Sequence, residues 1–207
     1  LGNLARACAE HVAKSMEGAD QALRFLRSEY RRWGDDMDIA RYLKDEDIIQ
    51  SQFHQLGIID HQGYLAHSSV PGAPKVDLRE REHFQFHRQR TSDTLFISRP
   101  VLGKASGKWS IQIARRIGHS DGSFGGVAVL SMPPTYYSRI FEQFSVGEDV
   151  VITLLGSDGT IRARMPHTDK VLGKDMSQGA LFQSMRSVND GVARQSSTVD
   201  GIDRVWA

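Results

Sequence analysis

A motif that occurs twice constrains the fold of this chain more than any other feature of its sequence. The first copy is LGIIDHQGYLAHSS at residues 56–69 followed by HFQFHR at 83–88, and the second is VITLLGSDGTIRAR at 151–164 followed by LFQSMR at 181–186. In each copy an apolar run enters a turn closed by a glycine, an alternating run leaves the turn, and a helical segment follows. A repeat with a period of about a hundred residues predicts two related small domains in tandem.

Composition and charge narrow the class of protein. The 207 residues are 40% apolar and 25% charged, which is typical of a globular chain. The 26 basic and 25 acidic residues leave a net charge of +1, so the charge balance favours neither nucleic acid nor an anionic membrane surface as a partner. Cys8 is the single cysteine, which excludes an internal disulfide and a metal site built from several cysteines.

Neither a membrane span nor a signal peptide is visible in the sequence. No run reaches the roughly 18 to 20 apolar residues that a span needs, and no signal-peptide pattern opens the chain. The chain begins at Leu1 rather than Met and ends at Ala207 within an expected strand, so we expect it to be part of a longer protein.

The first 33 residues have the period of a helix. Apolar residues recur at steps of three and four, and no proline interrupts them. Such a helix is roughly 50 Å long, enough to serve as a spine for both repeats. We expect Gly34 to end it and Asp35 or Asp36 to cap a second helix. The apolar positions of that second helix include Ile39, Leu43 and Ile48.

Beyond residue 56 the apolar pattern alternates, as it does in strands. Five such segments, with a short helix near residues 80–90 between the second and third, predict an antiparallel sheet of the Per-Arnt-Sim (PAS) type. The second copy repeats the start of this order and ends at least one strand short. We therefore predict an α+β fold with a spine helix at residues 1–35, a first module with its connecting helix at 36–145, and an incomplete second module at 146–207. The expected strands are 57–60, 64–68, 94–100, 108–117 and 124–132 in the first module and 150–155, 160–165 and 192–199 in the second.

Five segments in a fixed order support a family assignment. They are the long N-terminal helix, DLREREHF (77–84), SRPVLGKASGKWSIQIARRI (98–117), DGSFGGVAVLSM (121–132) and LLGSDGTIRAR (154–164). In this order they resemble the double Cache sensor domain over nearly the whole chain. The resemblance is closest to the Cache domains of membrane-bound bacterial diguanylate cyclases and sensor histidine kinases.

The resemblance implies a place in a signalling protein. In the family a transmembrane helix leads into the long helix from outside the cytoplasm, and the membrane-distal module binds a small molecule. A second transmembrane helix leads to a cytoplasmic output domain. The resemblance therefore implies a periplasmic location at the inner membrane, anchoring by flanking helices, and a sensing rather than a catalytic role for this chain.

The candidate ligand site is rich in arginine. Arg79, Arg81 and His83 lie before and on the short helix, which lines the distal pocket in the family, and Arg115 and Arg116 end the fourth strand. Arginine donates two parallel hydrogen bonds to one carboxylate, so we expect a small anion such as a carboxylate as the ligand. Because strand side chains alternate, at most one of Arg115 and Arg116 faces the pocket. The residues predicted to bind the ligand are Arg79, Arg81, His83, Phe84, Phe96, Ser98, Trp109, Gln112 and Arg115, with Tyr64 as a further candidate for the pocket wall.

The type of ligand follows from a departure from the family pattern. Amino-acid-binding members carry an arginine, a gap, then tryptophan and tyrosine at this helix. The matching residues here are Arg81, Glu82, His83 and Phe84, so the arginine is kept and both aromatic partners differ. A carboxylate or dicarboxylate is therefore a better candidate than a standard α-amino acid. An alternative is that the arginines hold loops in place by pairing with Asp77, Glu80, Glu82 or Asp121.

Other motifs predict no catalytic, metal or cofactor site. His83 and His87 have the spacing of two metal ligands on a helix, but no third ligand accompanies them. The segment GKASGK at residues 103–108 has its glycines one residue too close for a phosphate loop, and Trp109 replaces the required Ser or Thr. We therefore predict a hairpin turn there.

Two functions remain open from the sequence, and a hydrolytic enzyme is a distant third that no catalytic motif supports. The first is a periplasmic small-molecule sensor that relays ligand binding to an output domain, as a monomer or as a homodimer. The second is a structural or dimerisation module without a small-molecule ligand, in which the apolar face of residues 1–33 packs against a second copy. Packing of that face on the chain's own sheets explains the same pattern. The family resemblance favours the sensor.

Overall fold

The computed structural model describes most of the chain. Ile48 of the second predicted helix lies outside the described residues, as does the predicted boundary between residues 145 and 146. No helix in the described part is long and apolar enough to cross a membrane. The described residues are 1–43, 52–144, 150–166, 168–188 and 191–207.

Helix α1 spans Gly2–Trp33, as the apolar period predicts. Its buried positions include Ala19, Leu23 and Leu26, which follow one another at steps of four and three on one face. Gly34 comes next with φ +54°, the left-handed conformation that glycine adopts without steric cost and that commonly ends helices. The predicted length and end of this helix are thus confirmed.

Two 3-10 helices follow α1, at Gly34–Asp36 and Ile39–Leu43. The prediction that Asp35 or Asp36 caps the second of them is wrong, because both residues lie inside the first 3-10 turn. The carboxylate of Asp38 instead accepts hydrogen bonds from the two backbone N–H groups that follow Ile39, at 3.1 and 3.3 Å. The cap is therefore the aspartate next to the helix.

The first sheet has five antiparallel strands. They are β1 (Gln55–Asp60), β2 (Leu65–Ser68), β3 (Phe96–Leu102), β4 (Trp109–Gly118) and β5 (Phe124–Met132), and helix α2 (Glu82–Arg88) lies between β2 and β3. The spatial order is β2-β1-β5-β4-β3. This is the PAS-type sheet, with its helix, that the alternation and the turn signals predict.

Helix α2 is anchored on the sheet by one aromatic side chain. Phe84 is fully buried in a cluster with Ile59, Ala114 and Val129. Complete burial of a phenylalanine side chain contributes about 1.5 to 3 kcal/mol to stability. Because Phe84 is fixed in this way, the residues that precede it at the start of α2 have defined positions.

The second copy forms shorter sheets. Strands β6 and β7 pair antiparallel, and so do β8 and β9, in two separate two-stranded sheets. The strand predicted after the turn at Asp200 is present as β9. The elements are α3 (Thr135–Gln143), β6 (Ile152–Leu155), β7 (Ile161–Met165), α4 (Thr168–Val171), α5 (Ala180–Met185), β8 (Ala193–Ser196) and β9 (Asp203–Trp206).

The described residues group into two compact units. One is Met16–Pro133, and the other is Leu1–Ser15 together with Pro134–Ala207. We refer to them as the first and second unit. Helix α1 contributes residues to both units, and α3 lies in the second unit.

The two copies of the motif make the same backbone hydrogen bonds. Gly63 has φ +93°, and its carbonyl accepts a hydrogen bond from the N–H of Leu78 at 2.8 Å. Gly159 has φ +78°, and its carbonyl accepts one from Met176 at 2.9 Å. The repeat read from the sequence is therefore a repeat of local structure.

Candidate functional site

A small cavity lies in the first unit between the loop that leads into α2, the sheet, and the hairpin that joins β3 to β4. Its volume is about 40 Å³, which is room for about three water molecules. Its wall combines aliphatic and polar side chains, as ligand pockets do. The lining residues are Gln55, Leu65, Val76, Leu78, Arg81, His83, Val101, Gly103, Lys104, Ala105, Gln112, Val129 and Ser131.

Arg81 is the arginine that lines this cavity. It precedes α2, and its Nη2 donates a hydrogen bond to the backbone carbonyl of Leu102 at 3.0 Å. Its Nε lies 3.3 Å from a carboxylate oxygen of Glu80. A guanidinium has five N–H donors, so these two described contacts leave donors for a ligand.

His83 adds a neutral polar group to the wall. Its ring is buried. Burial, together with the charge of Arg81, lowers the pKa of His83 to about 3. At neutral pH the imidazole therefore offers one donor and one acceptor without adding charge.

The floor of the cavity carries a chain of hydrogen bonds. The hydroxyl of Ser131 donates to the side-chain oxygen of Gln112 at 3.0 Å, and the amide nitrogen of Gln112 donates to the hydroxyl of Ser110 at 2.8 Å. Both polar atoms of Gln112 are thus held. A network of this kind presents polar groups to a ligand in a fixed orientation.

Lys104 reaches the cavity from the tip of the β3–β4 hairpin. The hairpin predicted at residues 103–108 is confirmed, with the N–H of Gly103 donating to the carbonyl of Lys108 at 2.9 Å. The ammonium of Lys104 donates to the backbone carbonyl of Asp77 at 2.8 Å and lies 2.6 Å from the carboxylate of Glu80. Lys104 is not recognisable as a cavity residue from the sequence, because nothing in a hairpin sequence shows which way the hairpin folds.

Arg115 lies on the opposite face of the sheet from the cavity. Its guanidinium forms an ion pair with Asp20 of α1 through both carboxylate oxygens, and a second ion pair with Asp93 at 2.8 Å. Arg115, predicted to bind the ligand, is thus engaged by two protein carboxylates and does not line the cavity. By strand alternation Gln112 and Arg115 point to opposite faces, and the cavity lies on the face of Gln112. Trp109 shares the face of Arg115 and is exposed.

Two further arginines hold loops, as the alternative interpretation proposed. Arg79 makes hydrogen bonds to both carboxylate oxygens of Asp77, at 2.5 to 3.0 Å, and lies over the ring of Tyr64. Arg116 donates to the carbonyl of Gly122 at 3.0 Å. Neither arginine lines the cavity, and Tyr64 does not line it either.

The remaining predicted residues also lie outside the wall. Phe84 belongs to the core beneath α2. Phe96 packs on Phe86, with ring centroids 4.7 Å apart. Ser98 bridges the irregular register between β3 and β4, where its hydroxyl accepts a hydrogen bond from the backbone N–H of Gln112 at 2.9 Å. Of the nine predicted ligand-binding residues, the structure brings Arg81, His83 and Gln112 together at the cavity.

Solved structures that are similar to the chain identify its family. The extracellular domain of rpHK1S-Z16, a candidate histidine kinase, is 30% identical and superposes with a TM-score of 0.88. The match covers 99% of this chain and 85% of the other. The chain belongs to this family of Cache-type extracellular sensor domains. The family resemblance predicted from the order of the segments is confirmed.

Ligand-binding domains of two chemoreceptors share the fold of this Cache domain. That of the amino acid chemoreceptor PctC of Pseudomonas aeruginosa PAO1, solved in complex with GABA, is 19% identical, with a TM-score of 0.68 over 95% of this chain and 87% of the other. That of CtaA of Pseudomonas fluorescens, solved with L-serine, is 18% identical, with a TM-score of 0.67 over 97% and 84%. No protein-family model and no curated protein matches the sequence.

The second unit of the Cache domain has a cavity of a different character. Its volume is about 270 Å³, and cationic and anionic side chains line it together. Arg164 is buried there and forms an ion pair with Asp200 at 2.6 Å. The positive charges of this cavity are thus largely balanced by protein carboxylates. The lining residues are Thr135, Ser138, Arg139, Glu142, Arg164, Met165, Pro166 and Asp169.

A metal site is not supported in the described part of the chain. No group of three or more histidine, cysteine or acidic side chains lies close enough together there to hold an ion. His87, the partner of His83 in the helical spacing, packs edge-on against Phe86 and Phe96. It belongs to the aromatic core of α2.

Proposed function

We propose that this Cache domain is the periplasmic sensor of a membrane-anchored bacterial signalling protein and that it binds a small anionic ligand, such as a carboxylate, in the cavity beside Arg81. In the same proposal the chain has the double Cache organisation, with the first unit distal and the second unit proximal to the membrane. A diguanylate cyclase or histidine kinase domain would receive the signal. Family membership supports the sensing role.

The observation that carries the proposal is the difference between the two copies of the motif at Arg81. The matching residue in the second copy is Gly179, yet the backbone is the same, with φ and ψ of −69° and 136° at Arg81 and −70° and 137° at Gly179. Gln85 and Gln183 close the two loops with the same side-chain hydrogen bond, at 2.5 Å each. The motif therefore folds without an arginine, and Arg81 is free for a role other than folding.

The chemistry of the wall favours a short carboxylate. Arg81 supplies paired N–H donors for the two oxygens, and neutral His83 adds a polar contact without a competing charge. Aliphatic residues such as Leu65 and Val129 suit a short alkyl group. A volume of about 40 Å³ favours ligands as small as acetate or propionate in this conformation.

Relay to an output domain requires that the ligand bind one conformation more tightly than another. A coupling free energy of about 1 to 3 kcal/mol is typical of such systems. Enzymatic activity forms no part of the proposal, since ligand binding alone supplies this energy.

A thermal-shift experiment with short carboxylates tests the proposal. We expect one or more of acetate, propionate, malonate and succinate to raise the melting temperature, because a ligand at a hundred times its Kd adds about 2.7 kcal/mol to stability. For a chain of this length each kcal/mol raises the melting temperature by about 2 to 4 °C. Arg81→Ala should abolish the rise.

Matched controls separate the site from a general effect of charge. Arg79→Ala removes a neighbouring arginine that is bonded to Asp77, so it should preserve the shift. Propionamide at the same ionic strength should give none. A full shift in Arg81→Ala would contradict the site. A panel without any shift, together with dimer formation in light scattering, would favour a structural or dimerisation module.

A further inference from the structure

Glu80 places a carboxylate of the protein itself between the two cations of the cavity. One of its oxygens, Oε1, lies 2.6 Å from the ammonium of Lys104 and 3.3 Å from Nε of Arg81. Burial opposes ionisation, but the hydrogen bond from Lys104 and the charges of Lys104 and Arg81 outweigh it and hold the pKa of Glu80 below its ordinary value. Glu80 therefore occupies the position between Lys104 and Arg81 that a ligand carboxylate would need.

The same contacts tie the hairpin to the loop before α2. Lys104 reaches Glu80 and the carbonyl of Asp77, and Arg81 reaches back to the carbonyl of Leu102. These contacts cross between two chain segments that line the cavity together. The tip of the hairpin is therefore held against the loop by polar contacts at the edge of the cavity.

The contacts of Glu80 are exposed enough to exchange. The side chain of Glu80 is 57% exposed and that of Lys104 is 39% exposed. Ion pairs between side chains this exposed contribute little to stability, so Glu80 can leave for solvent at small cost. The guanidinium of Arg81 is more deeply placed and would stay.

The second copy of the motif shows that folding does not need Glu80. The residue that matches it there is Gln178, next to Gly179. The backbone hydrogen bond from Gly179 to the carbonyl of Met176 forms at 2.9 Å, as the one from Arg81 to Leu78 does at 3.0 Å. Glu80 and Arg81 are both present in the first copy, and the second copy has neither an acid nor an arginine at the matching positions.

We propose that Glu80 is an internal competitor of the ligand: its carboxylate latches the β3–β4 hairpin over the cavity through Lys104, and a ligand carboxylate displaces it from Lys104 and Arg81. This inference rests on the proposed function of the cavity. Displacement exchanges one carboxylate for another on the same cations, and Glu80 moves into solvent. Glu80 thereby lowers the affinity of the cavity for the ligand. It also couples the binding of the ligand in the cavity to the position of the hairpin.

Glu80→Gln tests the competition. We expect calorimetric titration with acetate and propionate to give a Kd about two- to fivefold lower in the variant, the range expected for the loss of an ion pair this exposed. Amide hydrogen exchange at Gly103 and Gly107 should be faster by a similar factor in the ligand-free variant. Lys104→Met should also speed this exchange but should weaken acetate binding.

The matched control is Glu82→Gln. It removes the same charge two residues away, from an exposed side chain outside the cavity wall, and should change neither the Kd nor the exchange rate. If acetate binds the wild type and Glu80→Gln equally, the competition is wrong while the proposed function stands. If neither acetate nor propionate binds either protein, the proposed function fails and the competition fails with it.

Discussion

At the residue scale, burial decides the charge of the two histidines on α2. His83 and His87 are both buried. Burial lowers the pKa of His87 to about 4, although the adjacent backbone of Ala114 opposes the shift. Neither ring nitrogen of His87 makes a hydrogen bond of normal geometry with the described residues. Both side chains are therefore neutral at physiological pH. Neither histidine adds a positive charge to those of Arg81 and Lys104 at the cavity.

The pH dependence of stability tests this neutrality. The unfolded chain protonates its histidines near pH 6.5, whereas the folded chain keeps His83 neutral down to about pH 3. Between these values the unfolded state binds more protons, so the free energy of unfolding decreases as the pH falls. In His83→Gln this decrease between pH 6.5 and 4.5 should be smaller by about 1 kcal/mol per pH unit. Urea denaturation at a series of pH values measures it, and parallel profiles would contradict the assignment.

At the element scale, ion pairs fasten α1 to β4 in the first unit. Arg115 contacts Asp20 of α1 and Asp93 of the loop before β3. Arg27 of α1 also pairs with Asp93, at 2.8 Å. The hydrogen bonds from Arg115 and Arg24 lower the pKa of Asp20 despite its partial burial. Apolar packing of α1 is thus supplemented by a polar network that sets the register of the helix along the strand.

Arg115→Leu should therefore destabilise the first unit. The substitution leaves two carboxylates without their buried partner. Breaking a fully buried pair costs about 3 to 5 kcal/mol, and because Asp93 is 47% exposed we expect about 2 to 3 kcal/mol in the free energy of unfolding. Arg24→Ala is the control, since that arginine is 53% exposed in its pair with Asp20 and should cost less than about 1 kcal/mol. Equal effects in urea denaturation would contradict the network.

At the scale of the whole molecule, the duplicated motif supports two units with different cavities. In the first unit Arg81 and Lys104 face a small cavity whose other walls are aliphatic and uncharged polar side chains. In the second unit Arg139 and Arg164 share a larger cavity with acidic residues. A carboxylate gains more from the first arrangement, because fewer protein carboxylates repel it there.

Amide hydrogen exchange across the chain tests this division. Saturating acetate should change the exchange rates most at residues 77–81 and 103–112 of the first unit, the two segments that line the cavity. Exchange in the lining of the second cavity should change less. Protection confined to residues 135–169 would instead locate the ligand in the second unit and contradict the assignment to the first.

The sequence alone determined the local structure of this protein. The period of α1, the alternation of β4, and the turns at Gly63 and Gly159 follow from side-chain spacing and backbone preference, which act over a few residues. For the same reason the sequence also established that Arg115 and Arg116 point to opposite faces.

Only the tertiary structure decided which of these residues meet at the cavity. Alternation places Gln112 and Arg115 on opposite faces of the sheet, but it does not show which face α1 covers. That depends on the contact of Arg115 with Asp20 of α1, which lies 95 residues away in the sequence. The direction in which the hairpin carries Lys104 depends likewise on contacts with Asp77 and Glu80. Such long-range contacts depend on the packing of whole elements, and no local pattern in the sequence encodes them.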